Sequence, residues 1–179
     1  MSEAQQETRE QEVARVRSYL ASQSQRRTTA QIVEALREAH RQFLEALAAV
    51  PDVAFHTPPR AGEWAAADVL EHVRAIATLD EQGICGVIEH GSQPAEIEDV
   101  IVPAPAEATR EQMLADLERL RERLIAVVLQ ADPQTHLDIT WGHTEFGKMN
   151  WREWLLFARV HTLDHARQMQ AIATAVTQK

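Results

Sequence analysis

Residues 151–175 read WREWLLFARVHTLDHARQMQAIATA, and this stretch is the strongest indication of the fold because its apolar residues recur at the three- and four-residue steps of an α-helix. Positions 154, 158, 161, 165, 168 and 172 form one stripe along such a helix, and two of them are His161 and His165. Residues four apart lie on one face of a helix. The stretch therefore predicts a long C-terminal helix whose core-facing side carries two imidazole rings.

The same kind of spacing predicts three more bundle helices, over residues 28–50, from Trp64 onwards and over residues 108–129. Segments that contain proline or glycine separate these helices, at 52–62, 91–106 and 131–149. No alternation of apolar and polar residues is long enough to predict a strand. We therefore predict an all-α fold, a four-helix bundle with long crossover connections.

Upstream of the bundle the first residues are polar, and a short amphipathic pattern then begins with Val13, Val16 and Tyr19. This pattern predicts an N-terminal helical extension over residues 1–28, which leaves residues 29–179 for the bundle. A length of 179 residues suits one ordinary domain with a sizeable core. We expect no second domain.

The balance of charge argues against two classes of partner. The chain has 18 basic and 27 acidic residues, which gives a net charge of -9 with neutral histidines. Such a chain repels phosphate backbones and anionic lipid, so we expect no nucleic-acid partner and no membrane partner. Neither a secretory leader nor an apolar run of about 18 residues is visible, so the expected location is the cytoplasm.

Cysteine usage limits the metal chemistry that is open to the chain. Cys85 is the only cysteine, which excludes an internal disulfide and a thiolate-rich zinc site. Its expected role is that of a small buried apolar residue. Any metal ion would therefore have to be held by nitrogen and oxygen atoms.

A third histidine, His72, holds an inward position on the helix that follows Trp64. Burying a polar ring without a partner costs about 1 to 3 kcal/mol, and one metal ion would satisfy this ring together with His161 and His165. Three neutral imidazoles would leave one coordination position open, which is the arrangement of a catalytic site. The alternative interpretation is that the rings bond to each other, to Thr162 or to buried water.

The other histidines carry weaker signals. His40 lies beside Arg41 and is expected at a solvated or boundary position. His143 belongs to the loop at 131–149, which should approach an end of the bundle, so this residue could line a pocket. Exposed histidine is ordinary in loops and at helix ends, which is the expected setting of His56, His90 and His136.

Two stretches resemble a known family. GEWAAADVLEHV at 62–73 and HTEFGKMNWREWLLFARVHTLDHARQ at 143–168 are similar to motifs of the DinB-like (YfiT-type) metal-binding four-helix-bundle family, and the likeness covers most of the chain. Ala65 is a departure, because the family often has Ser or Thr directly after the motif tryptophan. A first-turn acid, Asp68, could replace the lost hydroxyl cap.

The resemblance implies a site as well as a fold. By it, His72, His161 and His165 would be the three ligands of a divalent metal ion, which could be zinc, nickel, manganese or iron. Asp68, one turn before His72, could accept a hydrogen bond from a ligand or occasionally bind the ion, or could simply favour the helix dipole. Gln168 could orient a ligand or be satisfied by neighbouring backbone.

Family members include thiol-dependent transferases and isomerases that use low-molecular-weight thiols such as bacillithiol or mycothiol. The leading expectation is thus a divalent-metal-dependent transferase, in which the ion activates a small thiol for attack on a small electrophilic substrate. Two alternatives stay open, a metal-dependent hydrolase and a non-catalytic metal- or small-molecule-binding stress protein. The expected partner is a small molecule, and the bundle could form a homodimer.

Overall fold

The computed structural model describes residues 8–97 and 102–178. Its helices are, in chain order, α1 (Arg9–Arg26), α2 (Thr29–Ala48), α3 (Ala66–His90), α4 (Arg110–Gln130) and α5 (Trp151–Thr177). A 3-10 turn and two short strands accompany them, at Asp52–Ala54, β1 (Trp141–His143) and β2 (Gly147–Met149). The predicted all-α bundle is confirmed. The first seven residues of the predicted extension and part of the predicted connection at 91–106 lie outside the described residues.

Side-chain caps set where the helices begin. Thr28 accepts the backbone amide of Gln31 at 3.2 Å, and the Gln31 side chain accepts the amide of Thr28 at 2.9 Å, which starts α2. An equivalent reciprocal pair starts α5. At α3 the capping residue is Ala65, and Asp68 Oδ2 accepts its amide at 3.0 Å. Asp68 therefore supplies the half of the capping box that does not need a hydroxyl group.

α5 is the central helix, because α2 and α3 pack along it, α4 packs on α3, and α1 also contacts it. The buried apolar residues form two clusters, one around the first half of α5 and one around its second half. On α5 the first cluster ends at Ala158 and the second begins at Ala166. The segment between them carries His161 and His165, so apolar packing is interrupted at the level of these histidines.

The loop between α4 and α5 contains a hairpin. β1 and β2 pair antiparallel with Trp141 opposite Met149, and Gly147 has the left-handed φ of 70° that the turn requires. The sequence predicted no strand here, because three residues are too few for an alternation to be recognised. Gly83 on α3 lets the hairpin approach, since a Cβ there would lie 3.3 Å from the Trp141 ring. The hairpin thus packs closely on the bundle.

Arg152 at the start of α5 joins α1 to the bundle. Its guanidinium donates to the carbonyl of Ser24 at 3.0 and 3.1 Å and to the hydroxyl of Thr29 at 2.8 Å. The described part of the N-terminal extension is therefore a docked helix, and its boundary at residue 28 stays a prediction. Within the described ranges, no helix is both long enough and apolar enough to cross a membrane.

Candidate metal centre

The three histidines that the sequence singled out meet in the structure. α3 supplies His72, and α5 supplies His161 and His165 one turn apart. The Nε2 atom of His161 lies 3.0 Å from that of His72 and 3.1 Å from that of His165. One nitrogen from each ring lies within 4.8 Å of the other two, so the group could hold a metal ion. We call these three residues the histidine cluster.

The histidine cluster lies at the edge of the core. All three residues border a cavity; His72 is buried, whereas His161 and His165 are partly exposed. The most buried side of α5 runs beside them and includes Ala158 and Thr162. The predicted stripe on α5 therefore faces the core at its ends and the cavity in its middle.

Hydrogen bonding within the cluster cannot satisfy all three rings. Nδ1 of His165 lies 2.8 Å from Gln168 Oε1, and because an amide oxygen only accepts, Nδ1 carries the proton and Nε2 presents a lone pair. His161 Nε2 has one proton or one lone pair, so it cannot make straight hydrogen bonds to both neighbouring Nε2 atoms. A cation shared by the three nitrogens would remove this conflict.

Thr162, which one interpretation of the sequence offered as a partner, is engaged elsewhere. Its hydroxyl donates to the carbonyl of Ala158 at 2.7 Å and accepts from Arg121 at 2.8 Å. Two separations within the cluster, His161 to His72 at 3.0 Å and His161 to His165 at 3.1 Å, also suit a metal, since nitrogens bound at about 2.1 Å to one ion lie about 3.0 Å apart at right angles and about 3.4 Å apart in a tetrahedron. The donor set and these two separations therefore fit a divalent ion.

His161 is held in the neutral form that metal binding requires. Burial lowers the pKa of its imidazole well below the usual value, and His165, His72 and the cationic Arg121 lower it further. A neutral imidazole offers its lone pair at neutral pH without first losing a proton. The environment of this ring thus disfavours a proton and is compatible with a metal ion.

The fold and the converging histidines can be compared with known proteins. Residues 35–169 match the family model described as the DinB superfamily. The chain belongs to the DinB superfamily. It is also similar to a solved structure, TT2238, a four-helix bundle protein, with 25% identity and a TM-score of 0.63 over 80% of this chain and 99% of that chain. No curated protein sequence matches the chain significantly.

In this DinB superfamily protein the histidine cluster opens onto a cavity of about 650 Å³, a volume typical of small-molecule sites. Trp64 lies nearly parallel to His165, with ring centroids 6.3 Å apart, and Phe157 lies 6.3 Å from His161. The hairpin adds Phe146, and α1, which precedes the matched residues, forms another side. Aromatic side chains therefore surround the nitrogens on several sides.

His143 lines the same cavity, in agreement with the prediction that this loop residue could line a pocket. Its Nδ1 accepts the backbone amide of Glu145 at 3.1 Å. Its ring packs edge-on against Phe146 and Phe157, each with centroids 5.1 Å away. Among the described residues it is not one of the grouped metal-binding candidates, so its place is in the wall beside the cluster.

Three carboxylates line the described part of the cavity, and each is engaged by an arginine. Glu12 and Glu145 both accept from Arg9, at 2.9 and 2.8 Å, and Asp164 accepts from Arg167 at 3.1 Å. The hydrogen bond from Arg9 holds the pKa of Glu145 below its usual range. All three acids are therefore paired with arginine, which makes them poor general bases.

The structure distinguishes between Gln168 and Asp68, the two residues that the sequence suggested as hydrogen-bond partners of the metal ligands. Gln168 accepts from His165, which supports the interpretation that it orients that ring. Asp68 accepts two backbone amides, those of Ala65 and Ala104, at 3.0 Å each. One oxygen thus holds the start of α3, and the other holds the connection from α3 to α4. Neither a hydrogen bond from Asp68 to a metal ligand nor direct binding of the ion by Asp68 is supported.

Sequence analysis missed a second group of polar residues inside the bundle. His40, Asp80 and Arg121 lie on α2, α3 and α4, and Arg121 interacts electrostatically with the other two as well as donating to Thr162. We call these four residues the interior polar layer. His40 was expected at a solvated or boundary position; it is partly exposed, but burial of its ring lowers its pKa to about 3. The sequence signal that could have revealed the layer is a single polar residue within the apolar stripe of each helix.

Proposed function

We propose that the protein is a divalent-metal-dependent transferase that activates a low-molecular-weight thiol for attack on a small electrophilic substrate. The observation that carries the proposal is the convergence of His72, His161 and His165 on the wall of a cavity that has room for small molecules. Under the proposal these three residues are the metal ligands. Three protein ligands leave space for a ligand from solution, as in catalytic rather than structural sites.

When bound, a dication on neutral imidazoles keeps its charge and favours the thiolate over the thiol at neutral pH. The part of the chain is to hold the ligand atoms and shape the space around them. Gln168 keeps the proton of His165 on Nδ1, so that Nε2 faces the centre of the cluster. Phe146 and Phe157 supply apolar surface on which an uncharged electrophile can lie.

The pairing of the wall carboxylates supports a thiol rather than water as the nucleophile. A hydrolase benefits from a base that takes a proton from water, and Glu12, Glu145 and Asp164 are all bound to arginine. A thiol needs less help, because its pKa is already much closer to neutrality than that of water. The transferase is therefore preferred to the hydrolase that the sequence also allowed.

The experiment is a thiol-consumption assay with a small electrophile. Metal-stripped protein is reloaded with zinc, nickel, manganese or iron and mixed with a panel of thiols. We expect turnover that requires both metal and thiol and that disappears in His161→Ala. His90→Ala is the matched control, because His90 is exposed at the end of α3, and it should retain full activity.

Two other results would contradict the transferase. Protein that binds metal but consumes no thiol with any electrophile would favour the non-catalytic binding protein. Metal-dependent cleavage of an ester or amide without added thiol would favour the hydrolase.

A further inference from the structure

We infer that the cavity has a second recognition point, formed by Arg159 and Tyr19, which binds a carboxylate group of the thiol cosubstrate. The inference rests on the proposed function, because it takes the sulfur of that thiol to reach the histidine cluster. It adds the class of cosubstrate, namely a thiol that carries a carboxylate at some distance from its sulfur.

Arg159 lies on the cavity wall with much of its hydrogen-bonding capacity unused. A guanidinium has five N–H donors. Nη1 donates to the hydroxyl of Tyr19 at 3.0 Å, and Nε is buried without a hydrogen-bond partner. In residues 8–97 and 102–178, no carboxylate lies within ion-pair distance of Arg159. Its charge is therefore available to an anion that enters the cavity.

Two other arginines on the same wall show the contrast. Arg9 pairs with Glu12 and Glu145, and Arg167 pairs with Asp164. The whole chain has 27 acidic residues against 18 basic ones, so acidic partners are plentiful. An arginine that lacks one, partly withdrawn from water inside a cavity, is suited to bind an acid supplied by a ligand.

Tyr19 adds a hydroxyl group to the positive charge that Arg159 supplies at this recognition point. It lies on α1, whereas the family match begins at residue 35. α1 is held in place from both ends, by Arg9 bonded to Glu145 of the hairpin and by Arg152 bonded to the carbonyl of Ser24. The recognition point is therefore built partly from a helix that this chain has in addition to the matched residues.

The position of Arg159 on α5 sets a requirement on the ligand. Successive residues turn about 100° around a helix, so Arg159 and His161 point in directions roughly 200° apart. Both line the same cavity, which extends over the face of α5 between them. A ligand that contacts both must be long enough to reach around the helix, and a short acid cannot do so.

The test uses protein loaded with cobalt, whose thiolate complexes absorb light. The probes are mercaptoalkanoic acids from mercaptoacetate to mercaptooctanoate, each compared with its methyl ester, and the readout is the dissociation constant for thiolate binding to the metal. We expect acid and ester to bind equally when the chain is short. At one longer chain length the acid should bind roughly tenfold to a hundredfold more tightly, as a charge-assisted bidentate contact implies.

The variants assign that preference to a residue. Arg159→Met should abolish the preference for the acid at every length, Arg159→Lys should keep part of it, and Tyr19→Phe should reduce it modestly. Arg167→Met is the matched control, because Arg167 lines the same cavity on the same helix but pairs with Asp164. All four variants should bind cobalt as the wild type does.

Four outcomes would overturn the inference, and only one of them also affects the proposed function. Equal binding of acids and esters at all lengths would remove the second recognition point but leave the thiol site intact, and so would equal effects of Arg159→Met and Arg167→Met. Loss of cobalt from Arg159→Met would show that Arg159 supports the histidine cluster instead. Absence of a thiolate band with every acid and ester would defeat both proposals.

Discussion

Two groups of polar side chains interrupt the apolar core, and they differ in what their atoms face. In the histidine cluster three imidazoles approach one another at the wall of a cavity. In the interior polar layer His40 Nδ1, Asp80 Oδ1 and Arg121 Nε are buried without hydrogen-bond partners. Converging nitrogens beside a cavity indicate a binding site for a ligand. Buried polar atoms without hydrogen-bond partners mainly lower the stability of the fold.

The interior polar layer separates the two apolar clusters. On α4, Arg121 lies between Leu120 of one cluster and Leu124 of the other. On α3, Asp80 likewise lies between Ala77 and Ile84. Because each unsatisfied buried group costs about 1–3 kcal/mol, we expect substitutions in the layer to affect stability and substitutions in the histidine cluster to affect metal binding.

The largest effect should come from leaving one buried charge alone. Measured above about pH 8, where Asp80 is ionised beside Arg121, Arg121→Met is expected to lower the free energy of unfolding by about 3–5 kcal/mol, because the buried carboxyl must then either hold an unpaired charge or take up a proton. Urea unfolding measures the change. Arg119→Met is the control, since the Arg119 side chain is 67% exposed, and it should cost less than about 1 kcal/mol.

Removing both charges separates the cost of burying them from the cost of leaving one of them unpaired. Asp80→Leu with Arg121→Met should be as stable as the wild type, or more stable by about 1–4 kcal/mol, because the desolvation cost of both ions disappears. Its metal content should be unchanged, since neither residue belongs to the histidine cluster. A double variant as unstable as Arg121→Met alone would mean that burying the two charged groups does not destabilise the wild type.

A pH effect of the same layer should be somewhat smaller. Burial raises the pKa of Asp80 to about 7, so between about pH 4 and pH 7 the folded chain keeps a proton that the unfolded chain has released. This contribution to stability is full below about pH 4 and is lost as the pH rises through about 7. Asp80→Asn lacks this contribution. As the pH rises from about 4 to about 7, the free energy of unfolding of the wild type should therefore fall by on the order of a few kcal/mol relative to that of Asp80→Asn.

Urea unfolding of both proteins at a series of pH values provides the measurement. The lowered pKa of His40 acts in the opposite direction, but it is present in both proteins and largely cancels in the difference. A difference that stays constant across the window would show that Asp80 titrates at its ordinary value.

The smallest of these effects concerns the orientation of one ring in the histidine cluster. Gln168→Leu should weaken metal binding by about 10- to 100-fold, because it removes the acceptor that fixes the proton of His165 on Nδ1. Competition with a coloured chelator measures the affinity. Gln170→Leu is the control on the exposed side of α5 and should bind metal normally. Equal affinity in both variants would contradict the role of Gln168.

The helices could be predicted from the sequence because their apolar spacing is long and regular. The predicted stretches 28–50, 108–129 and 151–175 correspond to helices at Thr29–Ala48, Arg110–Gln130 and Trp151–Thr177. The β1–β2 hairpin could not be predicted, because its strands have three residues each and their pairing depends on contacts with α3.

The site could be predicted only in part. His72, His161 and His165 stood out because each occupies an inward place in a helical stripe. The interior polar layer was missed because its members lie on four helices, and a single polar residue in a stripe looks like a boundary position. The pairing of Arg159 with Tyr19 was also hidden, because it depends on how α1 docks on α5.

Metal analysis of the purified protein, in parallel with His161→Ala and the exposed control His90→Ala, is the decisive experiment for the histidine cluster. If the cluster binds a metal ion, we expect about one divalent ion per chain in the wild type and in His90→Ala, a gain in thermal stability on metal addition in both, and neither property in His161→Ala. Wild-type protein that carries no metal and gains no stability from any divalent ion would contradict the proposed metal centre, as would a His161→Ala variant that binds the ion as tightly as the wild type.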